Sequence, residues 1–240
     1  MTPVSLKNKV MEAEVPIREE PVVGSKKLFI VFGGIAAGIG MPPFEFYKSS
    51  KILNHNRIFI RDLRQSWYHS GLPGISDSID ETRKHIETLI ARYSPTETVM
   101  IGNSMGGFAA ILFASLIGDV RAIAFAPQTF IGPYKRLRYH DNRWRAQIFR
   151  TYKRNLFNEK FYDLSKLNQS TKWEAEIFVS RASQLDLIHA MNLEDAPQVN
   201  IRIYDSGGHE LVKHLRDSGE LQDILISKKQ RGILGDRGDV

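Results

Sequence analysis

The 240-residue sequence has no cysteine, which removes disulfides, thiolate metal sites and a cysteine nucleophile together. It has no apolar run approaching the ~18–20 residues that a membrane span needs. Its opening stretch, MTPVSLKNKVMEAEVPIREE, lacks the apolar centre of a secretory signal, so the expected location is the cytoplasm. No internal repeat is visible. What is present is ordinary globular composition, 42% apolar and 25% charged, in a length that suits one domain with a core of its own.

The net charge of +6 is unevenly placed. Between Tyr134 and Arg154 stand Lys135, Arg136, Arg138, Arg143, Arg145, Arg150, Lys153 and Arg154 against a single acid, Asp141. That window holds the whole surplus, and the rest of the chain is close to neutral. A surface that binds nucleic acid over its full area is therefore not expected, and the charge becomes a question about one segment.

Short apolar runs recur at Leu28–Phe32, Arg57–Arg61, Thr98–Ile101, Ala122–Ala126, Glu176–Ser180 and Val199–Tyr204, each closed by glycine, proline or polar residues. Runs of this length rich in β-branched and aromatic residues read as about six buried strands. Helical patterns lie between them. Ser78-Ile79-Asp80-Glu81 fits a capping box ahead of Ile79, Ile86, Leu89 and Ile90. Met105–Ile117 is apolar on nearly every side, and Leu211 to Leu225 suggests one final amphipathic helix. Strands alternating with helices imply an α/β fold with a mostly parallel sheet and helices on both faces. Sites in such folds form beyond the carboxyl ends of the strands.

One strand end carries chemistry directly. The third run enters Gly102-Asn103-Ser104-Met105-Gly106-Gly107, and a helix follows at once. Gly-x-Ser-x-Gly arises by chance in about one chain in twelve at average usage, so the strand-turn-helix context is what gives it weight. In a nucleophile elbow the serine occupies a sharp turn that lifts its hydroxyl from the sheet. Side chains two positions away on either side would collide, which requires glycine there. The Met105 N–H then stands at a helix start, where an oxyanion can bind.

A serine hydroxyl needs a base. Of the seven histidines, His209 alone follows a strand end through glycines, in Tyr204-Asp205-Ser206-Gly207-Gly208-His209. The base needs an orienting carboxylate. Asp186 is the first acid after the strand ending at Ser180, and Asp205, near the histidine in sequence, is the alternative. His209 and His214 are five residues apart, which does not fit the i, i+4 pair of a helical zinc site, and no metal is expected. The loop Phe32-Gly33-Gly34-Ile35-Ala36-Ala37-Gly38-Ile39-Gly40 does not match Gly-x-Gly-x-x-Gly, and Met41-Pro42-Pro43 interrupts the helix that a dinucleotide turn would need. It reads instead as a loop whose backbone approaches substrate, or as a structural turn. No cofactor is expected.

These residues together resemble the α/β-hydrolase superfamily over about residues 26–226. The resemblance rests on the elbow at Ser104, the acid Asp186, the histidine His209, the loop Phe32-Gly33-Gly34, and the order Ser, Asp, His along the chain. It implies Ser104 as nucleophile, His209 as general base and then acid, Asp186 as orienting acid, and the Gly34 and Met105 N–H groups as oxyanion hole. The charged residues 1–25 read as an arm with at most one short strand and 228–240 as a loose tail, leaving one domain over 26–227, in which the resemblance implies a cap insertion over about 128–173. The chain departs from the superfamily in having Phe32 where a histidine often opens the loop, and in showing no antiparallel strands before Lys26. The expected activity is a serine hydrolase acting on an ester or thioester, with an acyltransferase or a non-catalytic binding scaffold as alternatives. Ile35, Trp67, Tyr68 and Arg143 are the expected substrate contacts. The basic cap, in which Trp144, Ile148, Tyr152 and Leu156 recur every four residues, is expected either to face water or to receive an anionic substrate or an acidic carrier protein. Nucleic acid is not the expected partner.

Overall fold

The computed structural model describes residues 15–35, 46–154, 159–167 and 172–227. The first fourteen residues of the expected arm, the stretch 36–45 that completes the glycine loop, Leu156 and the tail 228–240 lie outside the described residues.

Seven strands make one sheet: β1 (Ile17–Glu20), β2 (Lys27–Phe32), β3 (Asn56–Ile60), β4 (Glu97–Asn103), β5 (Val120–Phe125), β6 (Trp173–Ser180) and β7 (Val199–Tyr204). Their order is β1-β3-β2-β4-β5-β6-β7. β1 runs antiparallel to β3, with Ile17 opposite Ile60, and every other pairing is parallel. The six apolar runs are β2 to β7. The added strand, β1, is an edge strand in which three of four residues are charged, so no buried run marks it.

Alternation along each strand sends side chains to two cores. Leu28, Ile30, Phe32, Ile58, Ile60, Met100, Ala122, Ala124, Ile177 and Val179 pack on one face, against Ile79, Ile86 and Leu89 of α1 (Ile79–Tyr93) and the buried α2 (Met105–Ile117). Their in-between neighbours Phe29, Val31, Phe59, Val99, Ile101, Ile123, Phe125 and Phe178 pack on the other. There they meet Leu211 and Leu215 of α6 (Leu211–Ser218) and Leu221 and Leu225 of α7 (Glu220–Ile226). Each such aliphatic side chain buried contributes roughly 1.5–3 kcal/mol. α6 and α7 replace the single helix expected there. Gly219 between them holds φ +87°, a left-handed conformation that ends one helix before the next begins.

The capping box at Ser78 forms in part. Ser78 Oγ accepts from Glu81 N at 3.2 Å, but the Glu81 carboxylate accepts from Asp77 N at 2.8 Å, one residue before the expected donor. Between β5 and β6 the chain leaves the sheet to form α3 (Pro133–Arg138) and α4 (Arg145–Arg154), followed by two short 3-10 turns, Glu159–Phe161 and Leu164–Lys166. Ile148, Phe161, Tyr162 and Leu164 seat this segment on the α1/α2 side of the core. α5 (Gln184–Met191) follows β6. Among the described residues no helix is long and apolar enough to cross a membrane.

Candidate active site

Ser104 joins β4 to α2 with φ +53° and ψ −116°, a region that a residue with a β-carbon rarely occupies. The turn is held by Ser104 N donating to Phe125 O at 2.9 Å and by Phe108 N donating back to Ser104 O at 3.0 Å. The glycines around it are required by contact. A β-carbon on Gly102 would overlap the Gly106 carbonyl and stand 2.7 Å from Gly107 N. One on Gly106 would overlap the Phe32 carbonyl oxygen and stand 3.1 Å from Gly33 C. The second contact also places the elbow against the end of β2, beside Gly33. Met105 N, in the first turn of α2, is among the donors that a helix leaves unpaired within itself.

β6 ends at Ser180, and Asp186 lies in the first turn of α5, fully buried. β7 ends at Tyr204. Gly207, at φ +98°, then turns the chain into a 3-10 segment, Gly208–Glu210, that carries His209. His209 Nδ1 stands 2.8 Å from Asp186 Oδ2 across 23 residues of sequence. The imidazole side chain is 42% exposed while the carboxylate is closed to water, so the ring presents its other edge outward. Burial alone would raise the Asp186 pKa, but hydrogen bonds from His209, Ser183 and Arg143 outweigh it and hold the carboxyl below its ordinary value. Asp205 is turned away: its side chain is 89% exposed and pairs with Arg181 Nε at 3.0 Å.

Ser104, Asp186 and His209 thus follow the carboxyl ends of β4, β6 and β7, on one edge of the sheet. Solved structures are similar to this chain in overall fold. The capsule O-acetyltransferase of Neisseria meningitidis serogroup A superposes with a TM-score of 0.67 at 18% identity, over 88% of this chain and 92% of that one. A fluorophosphonate-binding serine hydrolase of Staphylococcus aureus gives 0.57 at 15% identity, over 87% and 85%. Acetyl xylan esterase 1 from a Thermoanaerobacterium species gives 0.58 at 14% identity, over 88% and 79%. This chain has the α/β-hydrolase fold. A scan of protein-family models finds no match, and a search of curated proteins finds none.

Within that hydrolase fold, three expected substrate contacts have other employment. Trp67 and Tyr68 are fully buried. The reason is Asp62, just beyond β3, whose carboxylate gathers Arg64 N, Ser66 N, Ser66 Oγ and Tyr68 N at 2.6–3.1 Å. The loop curls around that group, with Gln65, Trp67 and Tyr68 all at positive φ, and both rings turn inward. Burial raises the Asp62 pKa in spite of its four donors. The Tyr68 hydroxyl lies 3.0 Å from Gly33 O and 3.2 Å from Ile60 O, bracing the β2 loop from behind. Arg143 is turned to carboxylates: its Nη1 donates to Asp186 Oδ1 at 2.7 Å, and its Nε and Nη2 donate to Asp141 at 3.0 and 3.1 Å. Ile35 is half-buried and packs on the α1/α2 core.

No sequence signal marked Asp62, because its donors are mostly backbone. Among the described residues there is no group of three or more His, Asp or Glu side chains arranged to hold a metal.

Proposed function

We propose that this chain is a serine acyl-transfer enzyme working on an ester or thioester, either as a hydrolase or as an acyltransferase. The observation that carries the reading is a serine in a strained elbow on the same sheet edge as a half-exposed imidazole whose Nδ1 is held by a buried carboxylate. In this mechanism His209 Nε2 takes the Ser104 proton as Oγ attacks the carbonyl carbon. The carbonyl oxygen becomes an oxyanion facing the N–H groups of Met105 and Gly34. Collapse breaks the bond to the alcohol or thiol, which leaves with the proton from His209, and an acyl group remains on Ser104. His209 then deprotonates water or an acceptor hydroxyl, which takes the acyl group and frees the serine. Asp186 keeps the imidazole in the tautomer with hydrogen on Nδ1.

Transfer to a hydroxyl is favoured by the likeness to the capsule O-acetyltransferase, one structure of which is a complex with CoA. The basic segment supports an anionic donor or an acidic carrier. Lys135, Arg136 and Arg143 point at carboxylates. Arg138, Arg145, Arg150, Lys153 and Arg154 are exposed and make no ion pair among the described residues. Leu137, Arg145 and Phe149 border a groove of about 260 Å³ between α3 and α4, so cations and apolar side chains share one outward face.

A fluorophosphonate probe tests the reading. The expected outcome is a single adduct on Ser104, found by peptide mass spectrometry and lost in His209→Ala. Asp186→Asn is expected to slow labelling at least ~100-fold by mis-setting the imidazole tautomer, with Asp205→Asn near the wild-type rate. A folded wild-type chain that takes no label would leave the fold as a binding scaffold.

A further inference from the structure

We propose that Arg143 is a positioning residue for the Asp186–His209 pair, and that seating of the 141–143 turn on α5 is a condition for that pair to work. The proposal rests on the serine acyl-transfer reading and concerns how its acid is held.

Asp186 uses its two oxygens differently. Oδ2 accepts from His209 Nδ1 at 2.8 Å, and Oδ1 accepts from Arg143 Nη1 at 2.7 Å. A carboxylate bonded through one oxygen can still rotate about its bond to Cβ. With Oδ1 held by a cation, Oδ2 has one direction left, toward the imidazole. Arg143 is itself fixed. Its Nε and Nη2 form a two-point fork on Asp141, and its backbone N–H also donates to Asp141 Oδ1 at 3.0 Å. Arg136 Nη2 closes the turn by donating to Arg143 O at 2.7 Å. The guanidinium is therefore clamped between two carboxylates, and neither can be served by a bulk cation of another shape.

The second rung comes from the same helix. His189 Nε2 stands 3.0 Å from Asp141 Oδ2, with both side chains closed to water. Burial holds the His189 pKa below its ordinary value, so the ring is neutral and donates Nε2–H to the carboxylate. Phe130 stacks on the ring at 3.9 Å between centroids. Asp186 and His189 are three residues apart on α5 and share one face of it. Asp141 and Arg143 are two apart in the turn between α3 and α4. Two rungs, Arg143 to Asp186 and Asp141 to His189, thus dock the turn onto the helical face that bears the acid. The segment between β5 and β6 is joined to that acid by charge as well as by packing.

The experiment compares Arg143→Met, Arg143→Lys and Lys160→Met with the wild type, using fluorophosphonate labelling of Ser104 and turnover of p-nitrophenyl acetate, with thermal unfolding as the check on folding. Arg143→Met is expected to lower the labelling rate and kcat by about tenfold or more, the size that outer partners of a site commonly carry, with KM changed by less than about threefold. Arg143→Lys, which keeps the charge but loses the fork, is expected to fall between. Lys160→Met, exposed on the same segment, is expected to match the wild type. A folded Arg143→Met at the wild-type rate overturns the proposal, as does an equal loss in Lys160→Met. If Arg143→Met does not fold, Arg143→Lys decides: an intermediate rate supports the proposal and a wild-type rate overturns it. A wild-type chain that takes no label refutes the acyl-transfer reading and this proposal with it, whereas a labelled wild type with unaffected variants refutes this proposal alone.

Discussion

His69 offers a test of how dry the loop after β3 is. Its side chain is fully buried, with Nδ1 at 3.0 Å from both Ser66 O and Trp67 O and with the ring 5.1 Å from Tyr162 and 5.9 Å from Phe108. Burial disfavours the charged ring and pulls its pKa from 6.5 down to about 4, against the opposing pull of the carbonyls. The unfolded chain therefore binds more protons than the folded one between those two values. Stability from this residue is fully present above the unfolded value and is lost as pH falls toward the folded one. The whole difference is worth about 3 kcal/mol, of which about 2 kcal/mol disappears between about pH 7.5 and pH 5. His69→Asn keeps a donor near the two carbonyls and removes the titration. It leaves a void, but a void weakens the fold equally at both pH values. Urea unfolding of both chains at the two pH values is expected to show the wild type losing about 2 kcal/mol more than the variant. His189 and His85, whose pKa values are also lowered, are present in both chains and drop out of the comparison. Equal losses would mean that water reaches the ring and that the loop is not closed.

Two further outcomes follow from geometry. Gly106→Ala is expected to lower stability by several kcal/mol and to abolish labelling of Ser104, because its β-carbon would overlap the Phe32 carbonyl, a backbone group with nowhere to move; chemical denaturation and probe labelling check this. Reversing Arg145, Arg150 and Arg154 to Glu is expected to lower kcat/KM for an anionic ester about tenfold more than for a neutral one of the same acyl group. An equal fall would make the outward face only a solvated surface.

Strands β2 to β6 are legible in the sequence because a strand buried on both faces must be apolar throughout; β7, at the far edge of the sheet, reads as buried too, and none of its residues is. The elbow is legible for a steric reason: only glycine fits at positions 102 and 106. β1 is not, since an edge strand reading Ile-Arg-Glu-Glu carries no such mark. The break at Gly219 is visible as a glycine but not as a helix end, because the apolar spacing of Leu215 and Leu221 runs across it. Arg143 shows the limit most clearly. A cation in a basic window reads as surface, and only the fold reveals that its two carboxylate partners lie 2 and 43 residues away. Trp67 and Tyr68 mislead in the same way, since a carboxylate that gathers backbone N–H groups has no sequence pattern.

The Tyr68 hydroxyl has an effect beyond the atom it touches. Gly33 C=O and Gly34 N–H belong to a single amide, whose planarity makes them point in opposite directions. Holding Gly33 O at 3.0 Å from one side therefore sets the bearing of the Gly34 N–H on the other. Tyr68 takes its own place from Asp62, which binds its backbone N–H at 2.9 Å. A carboxylate after β3 thus governs the orientation of a donor after β2, and the lever between them is one rigid peptide plane. A side chain sealed from solvent can in this way set the bearing of a dipole in the next loop, and Tyr68→Phe would let that plane swing.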